Sequence, residues 1–251
     1  MKGQGMPIAF GLRLLLALSL ASISFQGCRN APGRPRPDSQ VVPPSKVLDF
    51  DVLYAQNCAG CHGANGTGGA SIALNNPIYL ALADDATIRR VTVSGVAGTM
   101  MPAFGESTGG TLTDEQVGMI VRGIRERWSK PGLLRDMSPP PYSSPMPGDP
   151  SRGSSVYATY CLSCHGPSGK GGPKASPIVQ GSFLALISDQ ELRTIVIVGR
   201  PDLGAPDWRD DVPGKPMSAQ DVSDVVAWLS AQRPQFPGQP YASVQSPGGS
   251  Q

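Results

Sequence analysis

Apolar residues recur at helical spacing in two distant segments of the chain. They are Val117, Ile120, Val121 and Ile124 in the first segment, and Val222, Val225, Val226 and Leu229 in the second. Thr113 precedes the first pattern and Gln116 follows three residues later, which is the sequence of a capping box. Ser218 stands at the same place before the second pattern. Both segments are therefore predicted to be capped helices whose apolar faces belong to a core.

These two helices end two copies of a longer repeat. The stretch YAQNCAGCHGANGTGG at 54–69 aligns with YATYCLSCHGPSGKGG at 157–172, and LADDATIRRVTVSG at 82–95 aligns with LISDQELRTIVIVG at 186–199. In copy one, helices are also predicted over 49–57 and 85–94, the latter ended by Gly95. The sequence thus predicts an all-α chain built from two tandem copies of a unit of about 84 residues.

Proline-rich stretches surround the copies and are predicted to be extended or disordered. Residues 130–150 contain seven prolines, which favours a semi-extended linker. The predicted order is a signal segment (1–27), a Pro-rich tether (28–46), copy one (47–130), the linker (131–150), copy two (151–234) and a disordered tail (235–251).

The first residues carry the pattern of an export signal. Leu14 to Phe25 is an uncharged apolar run, too short to span a bilayer but suited to a signal-peptide core. Gly27 before Cys28 resembles the end of a bacterial lipoprotein signal, although Phe25 and Gln26 match that pattern less well. We therefore expect export and lipidation at Cys28, with simple cleavage or an uncleaved anchor as alternatives.

The remaining four cysteines and both histidines of the chain form two pentads. These are Cys58, Cys61 and His62 in CAGCH, and Cys161, Cys164 and His165 in CLSCH. This spacing is that of c-type haem attachment, in which two thiols bind one haem and the adjacent histidine ligates its iron. A redox disulfide would not require the histidines, and a four-cysteine zinc site would leave both unexplained. Two covalently bound haems c are therefore predicted, with His62 and His165 as iron ligands.

The arrangement resembles the class I cytochrome c family in a tandem di-haem form, over about residues 47–234. The resemblance is carried by the pentads, by MPAF at 101–104 and by the aromatic residue of each last helix, Trp128 or Trp228. It implies two helical cytochrome c domains whose first and last helices cross beside the haem. It also implies that a methionine before the last helix is the second iron ligand, which would be Met101, with Met100 as the alternative.

Copy two lacks a methionine at the corresponding position. There, GRPDLGAPDW at 199–208 aligns with GVAGTMMPAF at 95–104 and places Ala205 opposite Met101. Met217 aligns with Leu112, where an apolar staple residue is expected. Haem 2 is thus predicted to be five-coordinate, unless Met217 ligates it through a remodelled loop. The chain has no further histidine.

These features favour an exported, membrane-tethered cytochrome that carries electrons between redox proteins, a membrane respiratory complex among them. The alternative is a peroxidase-like enzyme or gas-binding protein that uses an open haem 2, and the sequence leaves the enzyme question undecided. The acidic residues Asp202, Asp207, Asp210 and Asp211 are candidates to steer a basic partner. Charged residues make up 16% of the chain and are spread along it, so no nucleic-acid partner is expected.

Overall fold

The computed structural model describes residues 41–234. The predicted signal segment, Cys28, most of the tether and the tail lie outside these residues. Both copies of the repeat lie in one unit of the chain that begins at Ser45.

Five α-helices belong to each copy within the described residues. Copy one contains α1 (Phe50–Asn57), α2 (Ala59–His62), α3 (Pro77–Leu82), α4 (Asp85–Ser94) and α5 (Asp114–Trp128). Copy two contains α6 (Pro150–Tyr160), α7 (Leu162–His165), α8 (Gly181–Leu186), α9 (Asp189–Val198) and α10 (Ala219–Ser230). Short 3-10 helices occur at Pro44–Lys46, Glu106–Thr108, Pro167–Gly169 and Pro201–Leu203. Residues 41–234 contain no strand beyond two isolated bridges, so the all-α prediction is confirmed.

The helix limits follow from local capping chemistry. Thr113 and Gln116 form the predicted capping box of α5, and Ser218 forms one with Asp221 at α10. Helix α4 spans the predicted 85–94 and stops at Gly95. Helices α3 and α8 were not predicted from the sequence. Helix α6 begins at Pro150, the last residue of the predicted linker, because a proline suits the first helical position.

A glycine allows the first and last helices to cross closely in each copy. A Cβ on Gly123 of α5 would lie 2.0 Å from the Phe50 ring of α1. In copy two the glycine is on the first helix instead, and a Cβ on Gly153 would lie 2.1 Å from the Asp224 carbonyl oxygen of α10. Such distances are far inside van der Waals contact, so both crossings exclude any larger residue.

Aromatic rings fill the angle between the crossing helices. The rings of Tyr54 and Trp128 meet edge to face with centroids 5.3 Å apart. The rings of Tyr157 and Trp228 stack at 4.4 Å. The predicted aromatic residue of each last helix therefore packs on the first helix of its own copy, immediately before the pentad.

The proline-rich linker packs against copy two. The buried Arg193 side chain of α9 donates hydrogen bonds to the carbonyl oxygens of Pro141 and Tyr142, at 2.9 to 3.1 Å. Gln190 donates a further bond of 2.8 Å to the Tyr142 carbonyl. These bonds satisfy a guanidinium that has no carboxylate partner among the described residues, and they attach the linker to α9.

Candidate functional site

Each pentad lies directly at the end of its copy's first helix. Cys58 is the C-cap of α1, and α2 then carries Cys61 and His62 around one further turn. The Tyr54 hydroxyl donates to the Gly63 carbonyl oxygen at 2.9 Å and joins the helix to the residue after the pentad. Copy two repeats this bond between Tyr157 and Gly166, so the first helix and the pentad are tied together in both copies.

Both histidines are oriented by a backbone carbonyl. His62 Nδ1 lies 2.8 Å from the Ile72 carbonyl oxygen, and His165 Nδ1 lies 2.9 Å from that of Ser176. A carbonyl only accepts, so Nδ1 carries the proton and Nε2 is left as the ligating nitrogen. Burial lowers the pKa of His62, which keeps its ring neutral as metal ligation requires. His165 is more exposed than His62.

The cysteines fit haem attachment and not a metal cluster. Cys58, Cys61, Cys161 and Cys164 are all free thiols. Burial, followed by the neighbouring Cys61, raises the pKa of Cys58 to about 11. Burial, followed by Asp211 and Cys164, raises the pKa of Cys161 to about 12. Within residues 41–234 no three His, Cys, Asp or Glu side chains gather to hold a metal ion, so the zinc alternative has no site there.

In copy one, the predicted ligand loop is held against the end of α4. The Val96 amide donates to the Met101 carbonyl oxygen at 3.0 Å. Gly95 adopts φ +65°, and a Cβ there would lie 2.6 Å from the Met101 carbonyl oxygen. Met101 is partly buried, whereas Met100 is 68% exposed. Between the two methionines, the surroundings therefore favour Met101 as the residue turned inward.

Copy two keeps the backbone of this loop without its methionine. The Arg200 amide donates to the Ala205 carbonyl oxygen at 3.0 Å, as Val96 does to Met101. Gly199 has φ +68°, and a Cβ there would lie 2.7 Å from the Ala205 carbonyl oxygen. Ala205 thus occupies the structural position of Met101, and its methyl side chain offers no ligating atom.

Met217 is placed as the alignment with Leu112 predicts. The Leu112 amide donates to the Phe104 carbonyl oxygen, and the Met217 amide donates to that of Trp208, each at 2.8 Å. Both side chains are buried, with exposures of 4% and 3%. Met217 therefore belongs to the apolar core at the start of α10, as the staple interpretation expects.

The acidic loop of copy two is less negative than its sequence indicates. It contains Asp202, Asp207, Asp210 and Asp211. Arg200 pairs with the first of these, and Arg209 with the second, at 2.8 and 2.7 Å. Two of the four carboxylates are thus neutralised within the loop, which weakens their expected role in steering a basic partner.

Sequence reasoning missed the groups that tie each pentad to its first helix and those that orient the histidines. The Tyr residues that begin each aligned stretch and the carbonyls of Ile72 and Ser176 recur in both copies. The tyrosines were visible as repeated letters four residues before each first cysteine. The carbonyls had no sequence signal, because any residue supplies one.

The family model described as "Cytochrome C oxidase, cbb3-type, subunit III" matches residues 46–122 and 148–229. No curated protein matches the sequence significantly. Among solved structures, a chain of the Kuenenia stuttgartiensis reducing HAO-like protein complex is 18% identical. The match covers 77% of this chain and 100% of that chain, with a TM-score of 0.40, a level of likeness that supports no functional conclusion.

Proposed function

This chain belongs to the cytochrome c oxidase, cbb3-type, subunit III family, and we propose that it is an exported di-haem protein that carries electrons between respiratory partners. Its tandem cytochrome c domains make it an electron-transfer protein with covalently bound haem c. We further propose that each copy binds one haem c, that the protein is tethered to a membrane and that its partners are redox proteins.

The observation that carries the proposal is the shared geometry of the two pentads. In both copies, a histidine follows the second thiol on one short helix, and its Nδ1–H donates a hydrogen bond to a backbone carbonyl oxygen. Haem c supplies a one-electron iron couple when bound. The cysteines of each pentad would attach the group, and the histidine held by a backbone carbonyl would ligate its iron. This requires no acid or base at the site, which favours a carrier over an enzyme.

Intact mass spectrometry tests the number of haems. The exported protein, produced in a host that attaches haem c, should carry the added mass of two haems. Cys58→Ala with Cys61→Ala should remove one and leave the other, and the corresponding change at Cys161 and Cys164 should do the reverse. A wild-type mass with one haem or none contradicts the di-haem proposal.

The membrane tether rests on the sequence around Cys28. Within residues 41–234, no helix has the length and apolarity needed to cross a bilayer. An acylated Cys28 provides that attachment, and the Pro-rich stretch after it sets the reach of the two domains. In this arrangement the haem domains meet their partners on the outer face of the membrane.

One observation favours a second candidate function, the binding of a small gas or peroxide at haem 2. The loop of copy two has the backbone of a ligand loop and an alanine at the ligand position. The reduced protein should then bind carbon monoxide at about one haem per chain, since an iron without a sixth ligand is open on that face. Ala205→Met should suppress this binding, and Met217→Leu should not change it. If Met217→Leu instead creates carbon monoxide binding that the wild type lacks, Met217 is the ligand and this second function is excluded.

A further inference from the structure

The loop of copy two that has lost its methionine makes a contact that its counterpart in copy one does not. Arg200 is 8% exposed, and its side chain donates to the Gly69 carbonyl oxygen of copy one at 2.9 Å. The same guanidinium holds Asp202 through two bonds of 2.9 and 2.8 Å. The ion pair is largely buried, with side-chain exposures of 10% and 12%.

Asp202 also faces copy one. Its pKa is lowered, first by the hydrogen bond from Arg200 and further by the amide of Gly68. The guanidinium of this ion pair therefore makes a charge-assisted hydrogen bond to a backbone carbonyl of copy one. A second bond lies beside it, since Nδ2 of the buried Asn76 donates to the Val198 carbonyl oxygen at 3.0 Å.

The segment that receives this ion pair belongs to the haem site of copy one. A Cβ on Gly69 would lie 2.1 Å from the carbonyl oxygen of Cys61, so the glycine loop is packed directly on the pentad. Ser71 continues this contact by donating to the same carbonyl at 3.0 Å. Arg200 of copy two thus contacts Gly69, and Gly69 packs directly on Cys61 of the copy-one pentad.

Copy one shows that the ion pair is not needed to form such a loop. The residues that correspond to Arg200 and Asp202 are Val96 and Gly98. The Val96 amide still bonds to Met101, and the space around Gly98 is open. The backbone of this loop therefore forms without the ion pair, and we assign the charges of copy two to the contact with copy one.

We propose that Arg200 and Asp202 form a clasp that holds the two haem-bearing copies in one relative arrangement and so fixes the separation across which electrons pass between them. The inference rests on the proposed function, because it presupposes a haem in each copy. Arg200 and Asp202 are positioning residues here, since they touch the backbone of the attachment loop and not the haem.

The test replaces the clasp with the residues of copy one, Arg200→Val together with Asp202→Gly. Removing both charges avoids leaving one buried and unpaired. Asp210→Asn is the matched control, because Asp210 is an exposed acidic residue of the same loop. Arg200→Gln together with Asp202→Asn is a second double variant, which also removes both charges but keeps polar side chains if the first double change impairs folding.

Two measurements are made on the full chain with its haem content verified by mass. The first is the rate of tryptic cleavage in the linker, which contains Arg135. This rate should rise about tenfold or more in the double variant. Proteolysis follows the fraction of molecules in which the two copies have separated. Loss of a hydrogen bond to a charged group shifts such an equilibrium by about tenfold or more. The second is the rate of electron equilibration between the haems after pulse-radiolytic reduction, which should fall. The second double variant should shift both rates in the same directions, and Asp210→Asn should shift neither.

The clasp is wrong if the double variant, with two haems bound, keeps the wild-type rates of cleavage and equilibration. It is also wrong if Asp210→Asn changes both rates as much as the double variant does, since the effect would then belong to any charge in the loop. A wild-type chain that carries fewer than two haems overturns the proposed function instead, and mass spectrometry shows this before either rate is measured.

Discussion

Gly123 is the position at which a single methyl group should disturb the first and last helices of copy one most. A Cβ added there would lie 2.0 Å from one carbon of the Phe50 ring and 2.4 Å from a second. Carbon atoms pack at about 3.5–4.0 Å, so the ring would have to move by about 1.5 Å. That ring is 9% exposed and is held by stacking on Tyr54 and by an edge contact with Trp128.

The expected loss can be separated from the general effect of replacing glycine in a helix. Gly118 lies on the same helix, and a Cβ there would meet only the Arg89 side chain at 3.7 Å, an ordinary contact. Gly118→Ala should therefore stabilise the protein by about 0.5–1 kcal/mol through the lower helix propensity of glycine. Gly123→Ala has the same favourable helix-propensity contribution, but overpacking against Phe50 should destabilise the protein by about 1–3 kcal/mol.

Thermal unfolding of the haem-loaded protein, followed by far-UV circular dichroism, measures the difference between the two variants. At about 2–4 °C per kcal/mol for a chain of this size, Gly123→Ala should melt about 2–12 °C below Gly118→Ala. Equal melting temperatures for the two variants would refute the close crossing of α1 and α5. The equivalent change in copy two, Gly153→Ala, should be at least as severe because its contact is with backbone.

Three further outcomes are expected. Met101→Ala should lower the reduction potential of one haem in a spectroelectrochemical titration, since a thioether ligand favours ferrous iron. Cys28→Ser should move the exported protein from the membrane fraction to the soluble fraction on an immunoblot, and a wild type that is already soluble would exclude the lipid anchor. Burial, together with Asp207 and Asp210, raises the pKa of Asp211 to about 7. An unfolded aspartate titrates near 4, so stability should fall as the pH rises from about 4 to about 7, and Asp211→Asn should flatten this part of the profile in urea titrations.

Local capping chemistry allowed the longer helices α4, α5 and α10 to be predicted from the sequence. The limits of α4, the capping box of α5 and the cap of α10 each depend on residues within a few positions of one another. The pentads are local in the same sense, since both thiols and the imidazole come from one turn of chain. Aligning the two copies of the repeat also pairs distant positions, and this alignment predicts that Ala205 corresponds to Met101.

Contacts between the copies could not be read in this way. Asp202 belonged to an acidic cluster in the sequence, yet it is paired with Arg200 and directed at backbone of copy one. The partner of that pair in copy one is the carbonyl of Gly69, and a backbone group leaves no trace in a residue pattern. Helices α3 and α8 were missed for a related reason, because six residues are too few to show a period.

The loop of copy two at 199–208 differs from its counterpart in copy one in two ways, the alanine at position 205 and the charged residues Arg200 and Asp202. A loop that supplies a methionine to iron must keep its tip free to approach the haem, and in copy one the space around Gly98 is open. In copy two the same tip carries a buried ion pair that engages the attachment loop of the other copy. We expect a tip held in this way to restrain a ligand introduced at position 205. Restoring the methionine alone should therefore close haem 2 less completely than restoring it while the clasp is also removed. The residual carbon monoxide binding of Ala205→Met, compared with that of the triple variant Arg200→Val, Asp202→Gly and Ala205→Met, measures that difference, and equal binding by the two variants would show that the clasp does not restrain the loop.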